Sequence, residues 1–267
     1  MARALIGGLL RQGVTADRIA VGEPDAGSAR RLREELGIGV ESDNASAVEG
    51  AQLLVLAVKP QQAAQALRPL RSNLASGQPL LLSIVAGLRI GDLADACPPG
   101  IAIVRAMPNR PAMVGAGVTG LYATSDISAT QREFAELVGR ASGRFIWLRA
   151  ENELDIVTAL SGSGPAYFFL LAEEMARAAE KLGLQRDTAL MLAASTLQGA
   201  GALASGEANL AEQRQAVTSK GGTTEAALRA FEQGGFAHLV AEALRAATAR
   251  SVELAGAMST ATEAQRS

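Results

Sequence analysis

The stretch Val217-Thr218-Ser219-Lys220-Gly221-Gly222-Thr223-Thr224-Glu225 holds residue types that bear directly on chemistry. Its two glycines free the backbone to turn N–H groups toward a ligand, and its hydroxyls stand where a helix from Ala226 to Glu232 begins, a combination suited to a small carboxylate. A plainly capped helix, with Thr223 or Thr224 as N-cap, accounts for the same residues. A second group lies at strand ends. Leu56-Ala57-Val58-Lys59-Pro60 is a buried strand that stops abruptly, with Pro60 opening the next helix. Ser83-Ile84-Val85-Ala86-Gly87 and Arg105-Ala106-Met107-Pro108-Asn109 end strands at the same edge, so three turns converge on the crevice where open α/β sheets bind ligands. Ordinary strand caps explain each turn taken singly. Glu23, just past a strand, is placed to hold ribose hydroxyls and disfavour a 2′-phosphate, which argues for NADH, whereas Arg30 and Arg31 offer charge to that phosphate. All three also read as solvated surface charges, and the cofactor choice stays open.

The elements that must position these residues follow from periodicity. Up to about Arg149, short β-branched runs alternate with amphipathic segments, which predicts strands joined by crossover helices in a mostly parallel sheet. The predicted strands are 18–22, 53–58, 80–85, 102–105, 117–122 and 144–148, and the predicted helices 29–36, 61–70 and 129–141. After Glu151 the strand signals vanish. The remainder is an Ala- and Leu-rich helical pattern punctuated at Gly162-Ser163-Gly164-Pro165, Gly183, Gly206, Gly221-Gly222 and Gly234-Gly235. This divides the chain into an α/β domain over 1–150 and an all-α domain over 151–267. Pro165 opens a helix with Ser163 or Gly164 as cap. Leu190-Met191-Leu192 and Leu239-Val240 spread apolar surface over more than one helical face, which predicts a helical dimer interface, a monomeric bundle being the alternative. The polar tail from Ser259 is expected to fray.

Composition narrows the function classes. The chain has 267 residues, 48% of them hydrophobic, enough for a sizeable core. Its net charge of -2, with both signs dispersed, offers no basic stripe for nucleic acid and no polybasic segment for a lipid surface. One cysteine, Cys97, and one histidine, His238, make neither a disulfide framework nor a conventional metal site, and a reducing cytoplasm is the natural setting. The apolar run Tyr167 to Ala172 stops at Glu173-Glu174, short of the roughly 20 residues of a membrane span. The N-terminus reads as a helix, not a signal peptide. His238 lacks an obvious partner and Cys97 precedes Pro98-Pro99 in a loop, so neither is expected to be catalytic. A dinucleotide-binding fold leads its first strand into a glycine-rich turn; here no G-x-G-x-x-G follows a strand, and Leu5, Ile6, Leu9 and Leu10 place the opening residues inside a helix. Some other α/β sheet that never had this turn fits the first half equally well.

Taken together, Leu56 to Pro60, Arg105 to Asn109, Ala159-Leu160-Ser161-Gly162-Ser163-Gly164-Pro165-Ala166-Tyr167 and Thr218 to Leu228 resemble pyrroline-5-carboxylate reductases in order and spacing, over essentially the whole chain. The resemblance implies an N-terminal Rossmann-like domain, apparently lacking its first strand and glycine turn by roughly a dozen residues, and an all-α dimerisation domain. It implies reduction of 1-pyrroline-5-carboxylate to L-proline with NADPH or NADH, in a homodimer or a pentamer of dimers, at a site formed between the domains and completed across the dimer. Carried over by motif, Asn44 touches the adenosine side of the cofactor, with Glu23 nearby. Ala57, Val58, Lys59 and Pro60, with Ile84, Val85 and Ala86, form its backbone cradle. Glu151 lines the proline site, and Ser219, Gly222, Thr223 and Thr224 belong to the loop gripping the substrate carboxylate and ring nitrogen, the Thr224 hydroxyl bonding that nitrogen. Such chemistry needs positioning and a donor at nitrogen, with no metal and no covalent nucleophile.

The chain departs from the family pattern at Arg110, where a threonine is usual, and at Lys220, where a proline is common. Two other readings compete. One is a non-catalytic helical dimer of the same family, with strand edges exposed by a missing neighbour. The other is a β-hydroxyacid-type dehydrogenase, which needs a catalytic lysine in the helical half, where Lys181 and Lys220 are the candidates.

Overall fold

The structure is a computed structural model that describes residues 1–124, 127–205 and 209–264. The chain forms two compact units, one made of Met1–Gly162 with the segment from Ala247 onward, the other of Ser163–Ala246.

In the first unit, helix α1 (Ala2–Arg11) buries Leu5, Ile6 and Gly8. Leu5 enters the core beside Leu80, Leu82 and Val104, while Ile6 joins Ala29, Ile38 and Val40. Gly8 is required by close packing, because a Cβ there would lie 1.9 Å from the Ala141 carbonyl oxygen. Strand β1 (Ala20–Gly22), helix α2 (Ala26–Leu36), strand β2 (Gly39–Glu41) and the single turn α3 (Asn44–Ala47) follow. Asp25 caps α2 and Asp43 caps α3, each carboxylate accepting a backbone N–H three residues on. Then come β3 (Leu53–Leu56), α4 (Ala63–Leu67), α5 (Arg71–Gly77), β4 (Leu80–Ser83), α6 (Ile90–Ala96) and β5 (Ile103–Met107). The unit continues through β6 (Gly117–Ala123), α7 (Ala129–Ser142), β7 (Gly143–Trp147) and α8 (Glu153–Val157) to a π-helical turn at Thr158–Gly162.

The strands form two sheets where the pattern suggested one: a parallel pair β1-β2, and a five-stranded sheet in the order β3-β4-β5-β6-β7. Among the described residues no strand pairs with both β1 and β3, which leaves each with a single neighbour. This is the arrangement expected when a central strand is lacking. Pairings in the larger sheet are parallel except β5 with β6, whose short connection holds no crossover helix and reverses the chain. Leu80, Leu81 and Leu82 are fully buried, as in a central strand covered on both faces.

The six expected strands are all present. Strand β2 escapes the pattern because only Val40 of its three residues is buried. Helix α6 escapes it because Gly91, Asp92 and Asp95 dilute its apolar face; its start is held by the Asp92 carboxylate, which accepts the Arg89 N–H at 2.9 Å. The continuous helix expected over 61–70 is instead broken into α4 between 3-10 turns at Pro60–Gln62 and Arg68–Leu70, the second carrying Pro69, which removes a backbone donor.

The second unit is helical: α9 (Gly164–Lys181), α10 (Arg186–Ala204), α11 (Leu210–Ala216), α12 (Thr223–Gln233) and the start of α13 (Phe236–Ala264). Ser163 is the N-cap residue of α9 and Pro165 lies in its first turn. Helices α9 and α10 approach closely through Ala172, Ala176, Ala179, Ala189 and Ala193. That core is small. Phe168, Phe169 and Leu170 are each about 60% exposed on α9, and Met191, Leu203 and Leu239 are likewise exposed, so the unit has far more apolar surface than it covers itself. The fraying expected from Ser259 does not set in there, since α13 stays helical to Ala264; the last three residues lie outside the described part.

Candidate active site

Because β3, β4 and β5 are parallel neighbours, their carboxyl ends reach one edge of the sheet. The structure thereby brings together the segments from Ala57, Ile84 and Pro108. Ala57, Val58 and Lys59 are exposed just beyond buried Leu56, and the Ile84 N–H donates to the Leu56 carbonyl at 3.1 Å, tying two of the turns together. Val85 turns its side chain into the core and Ala86 is exposed, so Val85 can offer a ligand only its backbone. At the end of β1, a Cβ on Gly22 would lie 2.2 Å from Asn44 Oδ1 and 3.2 Å from Asn44 Cα, so the start of α3 presses against the strand end that carries Glu23. The Glu23 carboxylate accepts the Asp25 N–H at 3.0 Å. Hydrogen bonds from the backbone of Ser28 and of Ser46 hold the Asp25 and Asp43 carboxyls below the usual carboxylate range. This corner is therefore acidic. Arg31 is turned back onto the Ser28 hydroxyl at 3.1 Å and Arg30 is exposed.

Glu151 belongs to a partly buried ionic group that residue spacing alone gave no means of finding. Its Oε1 accepts from Arg105 Nη1 at 2.9 Å and from the Ile90 N–H at 2.7 Å, while Arg89 donates to Asp155 at 2.6 Å. Desolvation lowers the Arg105 pKa, and the Glu151 carboxylate opposes that shift. Asn109 is the second residue whose part was not legible. It is buried, accepts the Val118 N–H at 2.9 Å and donates to the Ser161 carbonyl at 3.1 Å, an oxygen in the π-helical turn. Nothing in the spacing of Met107-Pro108-Asn109 foretold this partner, although a π turn inside Ala159 to Gly162 is a frequent companion of functional sites.

In the second unit the glycine-threonine loop takes the shape its sequence suggests, with a different cap. Gly221 adopts a φ of +71°, Gly222 is the N-cap residue, and Thr223 and Thr224 are the first two residues of α12. Neither threonine is the cap, and no side chain caps this terminus. Glu225 instead reaches back to accept the Gly221 N–H at 2.7 Å, and Ser219 accepts the Gly222 N–H through its carbonyl at 3.0 Å. The result is a helix start whose first amides and two hydroxyls remain available to an anion.

His238 is 80% exposed and lies 4.0 Å from Glu242 one turn on, the partner the sequence had not shown. Cys97 is buried, and burial pushes its thiol pKa up to about 11. Because the folded state holds this proton more tightly than the unfolded state does, its contribution to stability is complete below the ordinary thiol pKa of 9.0 and is lost as pH rises toward 11. Melting temperatures of the parent and of Cys97→Ala are therefore expected to diverge across that window, the parent falling more steeply; parallel curves would contradict this. Among the described residues no cluster of metal-ligating side chains occurs.

Comparison with known proteins places this geometry. Residues 151–254 match the family described as pyrroline-5-carboxylate reductase dimerisation, and residues 1–87 match NADP oxidoreductase coenzyme F420-dependent. A pyrroline-5-carboxylate reductase of Pseudomonas aeruginosa is 46% identical over 256 residues, covering 96% of this chain and 93% of that protein. Its counterpart in Mycobacterium tuberculosis is 39% identical, covering 94% and 92%. Among solved structures, a pyrroline-5-carboxylate reductase from Coxiella burnetii superposes with a TM-score of 0.91 at 38% identity, covering 95% of this chain and 94% of that one. A pyrroline carboxylate reductase from Plasmodium falciparum with NADP bound gives a TM-score of 0.79 at 27% identity, with the same coverage.

Proposed function

This chain belongs to the pyrroline-5-carboxylate reductase family, and from that premise we propose how its own residues carry out the reaction. It is an oxidoreductase of proline biosynthesis that reduces 1-pyrroline-5-carboxylate to L-proline with NAD(P)H. We divide it into a cofactor-binding domain over 1–150 and a substrate and dimerisation domain over 151–267.

The residues present fit a dinucleotide at the carboxyl edge of the sheets. Glu23 and Asn44 would hold the adenosine side, at the strand end where Gly22 allows α3 to close in. The exposed backbone of Ala57, Val58, Lys59 and Pro60 and that of Ile84, Val85 and Ala86 would cradle the remainder. When bound, the nicotinamide supplies the hydride that the imine carbon accepts.

The rest falls to the substrate loop. The amides of Thr223 and Thr224 at the start of α12 hold the substrate carboxylate, while Gly222, whose own N–H is taken by the Ser219 carbonyl, and Ser219 shape the turn beneath. The Thr224 hydroxyl donates to the ring nitrogen and orients it, and as the hydride reaches carbon the C=N π pair settles on nitrogen, which takes up one proton from solvent through that hydroxyl to complete the amine. We place Glu151 at the edge of the proline site, where its commitment to Arg105 and to the Ile90 amide fixes its carboxylate in one position. The uncapped start of α12, flanked by two hydroxyls with no structural duty as caps, is the observation that carries this reading.

The exposed apolar surface of α9, α10 and α13 makes the protein a homo-oligomer, and we propose a homodimer, assembled further as a pentamer of dimers. The helical run Glu153–Lys181 is long and apolar enough by composition to cross a membrane, a length the six-residue run 167–172 alone did not suggest. Arg177 pairs with both Glu173 and Glu174 on it, and we assign its apolar surface to the subunit interface and the protein to the cytoplasm.

The direct experiment mixes this chain with NADPH or NADH and 1-pyrroline-5-carboxylate and follows cofactor oxidation together with proline formation. One cofactor oxidised per proline formed is expected. Cofactor binding without turnover, or no binding by a folded oligomer, would establish the non-catalytic dimer instead, and turnover of a β-hydroxy acid would establish the dehydrogenase with Lys181 or Lys220.

A further inference from the structure

The loop leaving β4 is held from behind by the end of the last helix, and we infer that Asp155 and Ser251 are positioning residues that set cofactor affinity through it. The inference rests on the reading of Ile84–Ala86 as part of the cofactor cradle. The Ser251 hydroxyl, buried on α13, donates to Asp155 Oδ1 at 2.7 Å, and Arg89 donates to Asp155 Oδ2 at 2.6 Å. One nearly inaccessible carboxylate thus ties α13 to the residue that closes the loop. Between Ala86 and Arg89 the backbone turns at Gly87, whose φ of +82° favours glycine, and a Cβ there would stand 3.7 Å from the Ala255 backbone nitrogen. Leu88 is buried in the core against which Met258 of the same helix packs.

Every residue from Gly87 to Ile90 is therefore fixed by a helix surface, a core contact or an ionic bond, and the Ile90 N–H is fixed by Glu151. Only Ala86 projects outward, at the point where the cradle is expected. A loop held in one conformation binds its ligand without the cost of ordering, so slackening the hold weakens binding more than it slows the chemical step. The sequence offers no sign of this. Ser251 lies about a hundred residues from Asp155 along the chain, and a serine in a helix reads as surface.

The test compares Ser251→Ala with Ser142→Ala, whose hydroxyl is more deeply buried and bonded to Thr119 at 2.6 Å but away from the loop. Ser251→Ala is expected to weaken NADPH or NADH binding about fivefold in calorimetric titration with kcat kept within about twofold, and to speed amide exchange over 87–90 in the cofactor-free protein. Ser142→Ala is expected to lower the melting temperature with cofactor affinity unchanged. Asp155→Asn, which leaves Arg89 without its anionic partner, should weaken binding further than Ser251→Ala. Unchanged affinity and exchange in Ser251→Ala, or an equal loss of affinity in Ser142→Ala, would overturn the inference. Failure of the parent protein to bind either cofactor would instead overturn the cofactor reading, and the exchange measurement would still show whether α13 holds the loop.

Discussion

Thr224→Val lowers kcat/KM for 1-pyrroline-5-carboxylate by about a hundredfold, the usual cost of removing one well-placed donor at a reacting centre. The substitution keeps the branched shape and deletes only the hydroxyl. Stability is spared because Thr224 is the second residue of α12 and caps nothing; Gly222 holds the cap position. The melting temperature therefore stays within a degree or two, the shift typical of a surface change of a few tenths of a kcal/mol. Thr224→Ser, which restores the hydroxyl, recovers most of the activity. Thr223→Val has a smaller effect, felt mainly in KM, if the first threonine helps to hold the carboxylate and the second serves the nitrogen. Steady-state kinetics on the three variants decide the matter, and unchanged turnover in Thr224→Val would remove this residue from the chemistry.

How much of this was legible in the sequence depends on whether a feature is local. The glycine-threonine loop could be read because φ freedom at Gly221 and the start of a helix at Thr223 are set by neighbours in the chain. The cap was misjudged for a related reason: Gly222 needs no side chain to adopt a cap conformation, whereas residue preference points to the threonines. The ends of β3 and β4 were read two residues late, at Val58 and Val85 in place of Leu56 and Ser83, because the apolar runs continue past the last paired residues to Lys59-Pro60 and Ala86-Gly87. The division into two sheets follows from which strands find partners, and periodicity does not report partners. The reversal of β6 was in principle accessible, since too few residues separate Met107 from Gly117 for a crossover helix. Long-range polar pairs are the part that spacing hides. Arg105 on a buried strand looks like a violation of the hydrophobic pattern until Glu151 is seen beside it, and Asn109 looks like a turn residue until its amide is found between Val118 and Ser161.

Arg105 carries the largest expected effect on stability. It is 6% exposed on β5, its guanidinium donates to Glu151, and the Arg89–Asp155 pair lies close enough to act on its charge. Arg105→Ala leaves Glu151 with the Ile90 N–H as its remaining identified donor and opens space in the sheet, so unfolding free energy is expected to fall by about 3–5 kcal/mol, the range for breaking a buried ion pair from one side. The double variant Arg105→Met with Glu151→Gln removes both charges while keeping volume and an acceptor for the Ile90 amide. It should recover more than half of that loss, because the penalty lies mainly in an uncompensated carboxylate and not in the absence of attraction. Urea unfolding at one fixed protein concentration measures both, since an oligomer's stability changes with concentration. If the double variant were as unstable as the sum of the single ones, the pair would be acting through its packing. If Arg105→Ala lost less than about 1 kcal/mol, in the range of an exposed pair, water would be reaching Glu151 freely. That result would also weaken the picture of the loop after β4 as rigidly held, since Glu151 grips its far end at Ile90 while α8 and α13 supply Asp155 and Ser251.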